Sequence, residues 1–296
     1  MSAQRPVPAR SGDQSPAPPE VATARPTRVV RATTGWAPLD LVQLWRHREL
    51  VFYMGLRDIQ MRYRQTVLGI AWAVLQPLSS SALFTVIFGS LARMPSDGVP
   101  YGLFALAGLV PWQLFAFAMQ QTSNSLVDNR HILSKVYFPR IIVPVASLGA
   151  GVLDFVVSLG ILFAVMIWYR VEPTWRLAFL LPLSVLALVA ALGVGLWLAT
   201  LHVRYRDIRA TLPFLTQLWF FATPVVYPAS LVPARWRPWL GLNPMSGVVE
   251  GFRWALTGGD QGPPLLALSS ALSASLLLVS GLYYFRRMER GFADVI

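Results

Sequence analysis

Long apolar runs separated by short polar segments fill most of the chain after residue 66. Six of these runs approach or exceed the length of about 20 residues at which an apolar helix crosses a lipid bilayer. They occupy residues 67–91, 101–121, 141–169, 177–201, 212–227 and 263–285. The run at 212–227 is the weakest, since it is short, contains Gln217 and carries Pro224 near its end.

Helices explain these runs better than barrel strands do. Backbone groups in lipid must be paired within a helix or in a closed barrel, and barrel strands alternate apolar with polar residues. The run at 183–192 shows no such alternation. We therefore predict an all-α integral membrane protein with six transmembrane helices, contained in a domain at 66–290.

The segments between the runs alternate between Arg-rich and Arg-poor, which predicts the orientation in the membrane. The Arg-rich segments contain Arg130, Lys135 and Arg140, then Arg204, Arg206 and Arg209, and finally Arg286, Arg287 and Arg290. Together with the N-terminal region they hold most of the 25 basic residues. The positive-inside rule then places both termini in the cytosol, including the C-terminal segment 286–296. The net charge of +11 is attributed to this orientation and to anionic lipid rather than to nucleic acid.

Two further segments precede the first run. Residues 1–38 are rich in Pro, Arg, Ser and Thr and are predicted to be a disordered cytosolic tail. Within 39–65, helical spacing places an apolar stripe on one face with Arg on both sides. The stripe is Trp45, Phe52, Leu56, Ile59 and Tyr63, and the flanking residues are Arg46, Arg57, Arg64 and Arg62. This pattern predicts an amphipathic helix in the membrane interface, with a soluble helix packed on a partner as the alternative.

The long outer segment at 228–262 is predicted to contain two short re-entrant or interfacial helices. Ser246 is expected to be the N-cap of the second helix, and the Gly pair at 258–259 its end. Glu250 and Arg253 are one helical turn apart and are expected to pair.

Residues typical of catalysis or of nucleotide binding are scarce. The chain has no cysteine, which excludes disulfides, cysteine zinc sites and thiol chemistry. Lys135 is the only lysine and follows no Gly-rich loop, so no phosphate-binding loop is expected. Gly193 and Gly195 are interpreted as close-packing residues within a span. We expect no catalytic residue, cofactor site or metal site in this chain.

The few titratable residues bear on the energy source that the protein would need if it moved a substance uphill across the membrane. His47, His131 and His202 are scattered over predicted cytosolic segments and are expected to be solvated. Asp154 is the one acidic residue inside a predicted span, and an ion pair across helices is favoured over a proton relay. A single such group favours a partner ATPase over an ion gradient as the energy source.

Short segments along the chain match, in order and spacing, a known family. They are Arg57-Asp58-Ile59, Arg62-Tyr63-Arg64, Leu68-Gly69-Ile70-Ala71-Trp72, Gln76-Pro77-Leu78, Gly108-Leu109-Val110-Pro111-Trp112, residues 132–140, Arg204-Tyr205-Arg206-Asp207-Ile208, Thr223-Pro224-Val225, Asn243-Pro244-Met245, Glu250 with Arg253, and residues 288–296. From about residue 39 onward the chain resembles the membrane-spanning permeases of type-2 ABC exporters. The resemblance is to the permeases that export lipid-linked polysaccharide such as O-antigen, teichoic acid or galactan.

The resemblance implies an assembly and a location. Such permeases form homodimers with a channel between protomers, and they pair with two copies of a separate ABC ATPase subunit. That partner binds ATP and Mg, so this chain would be a transporter permease and not an enzyme. The cargo would be undecaprenyl-linked polysaccharide crossing the bacterial cytoplasmic (inner) membrane.

The resemblance also assigns roles to residues. It implies a cytosolic coupling helix at 128–140 and a second contact loop for the ATPase, with the contacts Lys135, Tyr137, Arg140, Arg204, Arg206 and Asp207. It implies an outer gate at 228–262, with the gate residues Tyr227, Asn243, Glu250 and Arg253.

Aromatic and basic residues form the predicted substrate path. Aromatic faces stack on sugar rings, and the candidates are Trp72, Phe84, Phe88, Trp112, Phe115 and Phe117. Membrane helices also collect aromatic residues at lipid interfaces, which is the alternative for each of them. Arg62 and Arg64 are candidates for the pyrophosphate of the cargo, with anchoring in lipid head groups as the alternative.

Two rival functions remain at this point. An ABC permease that exports a small hydrophobic molecule or drug would share the fold. A membrane-embedded glycosyl- or acyltransferase would need a cluster of acidic or His residues, for which the sequence offers no convincing candidate.

Overall fold

A computed structural model describes residues 45–63, 71–133, 135, 138–258 and 265–289. The predicted tail at 1–38, Arg64, Tyr137 and the end of the chain from residue 290 lie outside the described residues. Every regular element in the described ranges is a helix. The α-helices are α1 (Arg48–Tyr63), α2 (Ala71–Phe84), α3 (Tyr101–Asp128), α4 (Arg130–Leu133), α5 (Ile142–Ser147), α6 (Gly149–Trp168), α7 (Leu180–Arg204), α8 (Ile208–Ala222), α9 (Arg237–Leu240), α10 (Pro244–Thr257) and α11 (Leu265–Met288). A π-helical turn, Thr85–Leu91, extends α2, and 3₁₀ turns occupy Trp175–Phe179 and Ala229–Leu231.

Five helical stretches in the described residues are long and apolar enough to cross a membrane. They are Ala71–Leu91, Tyr101–Asp128, Ile142–Trp168, Trp175–Arg204 and Leu265–Met288. Five of the six predicted runs are thus confirmed as helices of spanning length, and the protein is a multi-pass membrane protein. The run at 212–227 falls on α8, whose 15 residues extend about 22 Å against a hydrocarbon core of about 30 Å. The count of six spans therefore stays a prediction.

Helix α3 lies at the centre of the bundle, and small residues allow other helices to approach closely. A Cβ at Gly193 of α7 would lie 2.6 Å from the backbone nitrogen of Leu278 in α11. A Cβ at Gly195 would lie 2.6 Å from the Thr122 side chain of α3. Both glycines therefore serve close helix packing, as the sequence predicts.

The segments predicted to share one side of the membrane also meet in the structure. At one end, Arg57 donates to Asn129 at 2.7 Å, and Arg209 lies 3.6 Å from Asp128. At the other end, the Ser230 hydroxyl lies 3.2 Å from the Asp97 carboxylate. This agrees with the predicted alternation of loops, while the assignment of the first end to the cytosol stays a prediction.

Helix α1 packs on the bundle through a narrow face. Met54 and Gly55 are buried, and a Cβ at Gly55 would lie 3.2 Å from the Ala146 carbonyl oxygen of α5. Trp45 and Phe52 from the predicted stripe are exposed. The stripe is therefore exposed at its beginning, whereas Tyr63 at its end donates a hydrogen bond to Asp154 of α6. Its insertion in the membrane interface stays a prediction.

Two sequence-based expectations are wrong. The N-cap of α10 is Asn243, whose side chain accepts a hydrogen bond from the Met245 amide, whereas Ser246 is fully buried inside the helix. His202 is only 4% exposed instead of solvated. It faces α3 from the last turn of α7, and its Nδ1 lies 3.3 Å from the Ser123 carbonyl oxygen.

Candidate functional site

A cavity of about 630 Å³ opens between the end of α1 and helices α2, α3 and α6. Its lining combines aromatic rings, side-chain amides and one ion pair. The residues are Arg62, Tyr63, Trp72, Ala73, Gln76, Pro77, Ser80, Phe84, Leu109, Val110, Trp112, Gln113, Leu114, Ala116, Phe117, Gln120, Gly151, Asp154, Phe155, Ser158 and Phe220. Rings with nearby amide donors and acceptors suit a ligand that has both apolar faces and many hydroxyl groups.

Most of the aromatic residues predicted for the substrate path lie at this cavity. They are Trp72, Phe84, Trp112 and Phe117. Phe115 is fully buried between Trp112 and Trp219, and Phe88 packs near Tyr101 and Phe104. Neither of these two rings is among the residues that line the cavity.

Three aromatic residues of the lining were not predicted for the substrate path: Tyr63, which the sequence placed only in the interfacial stripe, and two rings from later helices. Phe155 comes from α6, and Phe220 comes from α8 and contacts Trp112 edge-on at 5.5 Å. Neither shows a local signal, because their position depends on how distant helices pack.

An ion pair lies at the wall of the cavity near the end of α1. The Arg62 Nη2 is 2.7 Å from the Asp154 Oδ2, and the Arg62 guanidinium sits over the Phe117 ring at 4.2 Å. Asp154 thus forms an ion pair across helices, as predicted. The Tyr63 hydroxyl donates to the other oxygen, Asp154 Oδ1.

The state of Tyr63 defines its role in this cluster. Burial and the hydrogen bond to Asp154 raise the pKa of Tyr63 to about 12. The hydroxyl therefore keeps its proton at physiological pH and acts as a hydrogen-bond donor.

A second, more polar cavity of about 330 Å³ shares Arg62 with the first. Its lining also includes Arg57, Asp58, Asp128 and Asn129 from the end of the bundle where Arg209 contacts Asp128. Arg62 therefore stands between the polar end of the molecule and the aromatic cavity.

The predicted gate residues converge on a non-helical stretch after α8. Arg253 is 5% exposed and donates to three backbone carbonyls: Pro224 at 2.7 Å, Val225 at 2.6 Å and Tyr227 at 3.3 Å. Buried backbone carbonyls without a hydrogen-bond partner are costly. One buried guanidinium thus satisfies most of this irregular stretch.

Glu250 and Asn243 complete the same network. Glu250 pairs with Arg253 at 2.8 Å, as predicted, and accepts from the Ala229 amide at 3.2 Å. The Asn243 Oδ1 accepts from the Trp219 indole at 3.0 Å, and its amide nitrogen donates to Thr223 at 2.8 Å. Three of the gate candidates therefore contact the segment to which the fourth, Tyr227, belongs, while a gating role is not tested by these contacts.

The described residues among those predicted to contact an ATPase lie at the end of the bundle opposite the gate. Lys135, Arg204, Arg206 and Asp207 are exposed. Arg140 is half-buried, and its guanidinium donates to the Glu289 carbonyl oxygen beyond α11 at 2.7 Å. The exposed members can meet a partner directly, whereas Arg140 also ties its loop to the end of the last helix.

Comparison with known proteins identifies a family that covers most of the chain. A family model described as ABC-2 type transporter matches residues 49–257. The O-antigen export system permease protein RfbA of Myxococcus xanthus is 30% identical over 260 residues, which cover 86% of this chain and 98% of that protein. The protein of the same name from Klebsiella pneumoniae is 24% identical over 249 residues, covering 84% and 95% of the two chains. The polysialic acid transport protein KpsM of Escherichia coli is 25% identical over 239 residues, covering 78% and 91%. The chain therefore belongs to the ABC-2 type transporter family.

Proposed function

We propose that this chain is the permease subunit of an ABC transporter that exports lipid-linked polysaccharide across the bacterial cytoplasmic membrane. The observation that carries the proposal is the near full-length similarity to an O-antigen export permease, which extends over 98% of that relative. The similarity to a polysialic acid transport protein supports the same class of cargo. Export of a small hydrophobic molecule or drug is the alternative that the experiment below separates.

The chemistry of the cavity supports a carbohydrate cargo. Trp72, Trp112 and Phe117 offer ring faces for the C–H surfaces of sugars, and Gln76 and Gln113 offer amides for hydroxyl groups. Contacts of this kind are individually weak and repeat along a chain, so they let a polymer slide. A cavity for a compact apolar drug would have less need of these amides.

The energy would come from a partner subunit. A homodimer of this chain would bind two copies of an ABC ATPase, which hold ATP and Mg, at the surface formed by Lys135, Arg204, Arg206 and Asp207. Exposure of these four side chains supports this role, and Tyr137 and Arg140 are the further candidates. This orientation puts both chain termini in the cytosol.

The proposal also includes six membrane spans and a gate at the outer face. Helix α8 with residues 223–227 would form the fifth of six spans, followed by α9 and α10 as re-entrant helices at the outer face. Tyr227, Asn243, Glu250 and Arg253 would then close the outer exit of the path. The hydrogen bonds from Arg253 to the carbonyls of Pro224 and Val225 support the placement of irregular backbone at membrane depth.

Co-purification tests the proposal directly. The full-length chain is solubilised in mild detergent, and the proteins that purify with it are identified. We expect an ABC ATPase subunit whose ATP hydrolysis is stimulated by undecaprenyl-linked glycan. Stimulation by hydrophobic drugs but not by the glycan would favour the alternative cargo, and purification of the chain without any ATPase would refute the proposal.

A further inference from the structure

Two arginines of the helical bundle have different surroundings. Arg253 is almost fully buried and bonds to three carbonyls. The side chain of Arg62 is 38% exposed at the cavity, and the side chain of its partner Asp154 is 23% exposed. A partly open ion pair gains little from its own attraction, so stability alone does not explain why this pair lies at the cavity.

Asp154 is held in place as the anion that faces Arg62. Its Oδ2 pairs with Arg62 at 2.7 Å, and its Oδ1 accepts a hydrogen bond from Tyr63. The Phe117 ring fixes the guanidinium from one face at 4.2 Å. A guanidinium carries five N–H donors in a planar fork, more than the contacts with Asp154 and the neighbouring Tyr63 need, so the fork can hold a larger anion.

We infer that Asp154 is an internal counter-ion, which occupies an anion subsite at Arg62 that takes a phosphate or diphosphate ester. This inference rests on the proposed function, since the cargo would carry that group. A phosphate group has about twice the charge of a carboxylate and three strong acceptor oxygens, so it displaces Asp154 from the fork. A sugar carboxylate has the same charge as Asp154 but is not attached to the protein beside Arg62, so it does not displace Asp154. The sugar next to the phosphate then lies along Trp72 and Gln76.

Ligand binding to the purified full-length chain in lipid nanodiscs tests this assignment. Intrinsic fluorescence reports binding, because Trp72 and Trp112 line the cavity. The ligands are inorganic diphosphate, farnesyl diphosphate, farnesol and glucuronate. Tighter binding of farnesyl diphosphate than of inorganic diphosphate indicates a lipid-linked source, and equal binding indicates a free one.

Two variants remove the charge of Asp154. Without the competing carboxylate, Asp154→Asn is expected to bind diphosphate at least about five-fold more tightly, since two like charges about 4 Å apart repel strongly even in water. Asp154→Ser gives the same charge change with a smaller side chain. Arg62→Gln is expected to lose diphosphate binding. Glu172→Gln, at an exposed loop position, is the matched control and leaves binding unchanged.

The assignment is overturned if neither neutral variant tightens binding, if Arg62→Gln binds like the wild type, or if glucuronate binds as well as diphosphate. Failure of both neutral variants to fold also overturns it, because the pair would then be structural. These outcomes are separate from the proposed function. A chain that exports polysaccharide without any effect of Asp154 retains the function and loses the inference.

Discussion

Replacing Arg253 with Met tests whether one buried guanidinium stabilises the irregular stretch after α8. Methionine keeps a long side chain against Phe104, whose ring lies 3.6 Å from the Arg253 guanidinium carbon, but it has no donor. Three carbonyls then lose this donor together, and Glu250 loses its ion pair and keeps only the Ala229 amide as a donor. Each buried acceptor that is left without a donor lowers the free energy of unfolding. Breaking a buried charged pair by removing one partner costs about 3–5 kcal/mol of stability.

This loss of stability can be measured as a fall in the melting temperature in detergent. For a large domain, about 1 kcal/mol corresponds to about 2–4 °C, so the Tm of Arg253→Met is expected to fall by about 6–20 °C. Arg237→Met is the matched control. Arg237 also donates to two carbonyls, Val232 at 2.9 Å and Ser230 at 2.8 Å, but it lies exposed. Water replaces its bonds, and we expect a loss below about 1 kcal/mol. Equal losses in the two variants would refute the reasoning, since burial would then contribute nothing.

Three further predictions concern packing, coupling and orientation. Gly193→Leu should destabilise the chain by about 1–3 kcal/mol or more, because the new side chain meets the backbone of α11. Gly160→Leu is the control: the space around its Cβ position is open, so stability should change by less than about 0.5 kcal/mol. Equal melting temperatures of the two variants would contradict this prediction. Arg140→Glu should reduce the coupling of ATPase activity to export without affecting membrane insertion, and unchanged export would remove Arg140 from the coupling surface. Since the chain has no cysteine, a membrane-impermeant thiol reagent added outside cells should label Glu172→Cys but not Lys135→Cys, and the reverse result would invert the predicted topology.

The helices of spanning length could be predicted because apolar length is a local property of the sequence. The sequence also indicated where α8 ends. Pro224 lacks an N–H and forces the residue before it out of helical geometry, and Thr223 is indeed extended, with ψ of 139°. The sequence also contained the information that identifies the N-cap of α10, although Ser246 was predicted instead. Both Asn243 and Ser246 are residues that cap helices, but Pro244 prefers the first helical position and therefore selects Asn243.

Other features could not be predicted, because they depend on contacts between distant segments. The acceptors of Arg253 are backbone carbonyls, which have no side-chain identity for a sequence pattern to reveal. Phe220 reaches the cavity only because α8 lies beside α3. His202 is buried for the same kind of reason, since the face that it occupies on α7 is the one that contacts Ser123 of α3.

Substitution by lysine separates a structural arginine from one that serves a ligand site. Lysine keeps the positive charge but lacks the planar fork, so it cannot reach several fixed acceptors at once. Arg253 bonds to the carbonyls of Pro224 and Val225 through two different nitrogens, so Arg253→Lys should lower the melting temperature nearly as much as Arg253→Met. Arg62 contacts one carboxylate at an open cavity, so Arg62→Lys should melt like the wild type and keep part of its diphosphate affinity. If both lysine variants lost the same stability, the Arg62 pair would be structural, and its assignment as an anion subsite would fail.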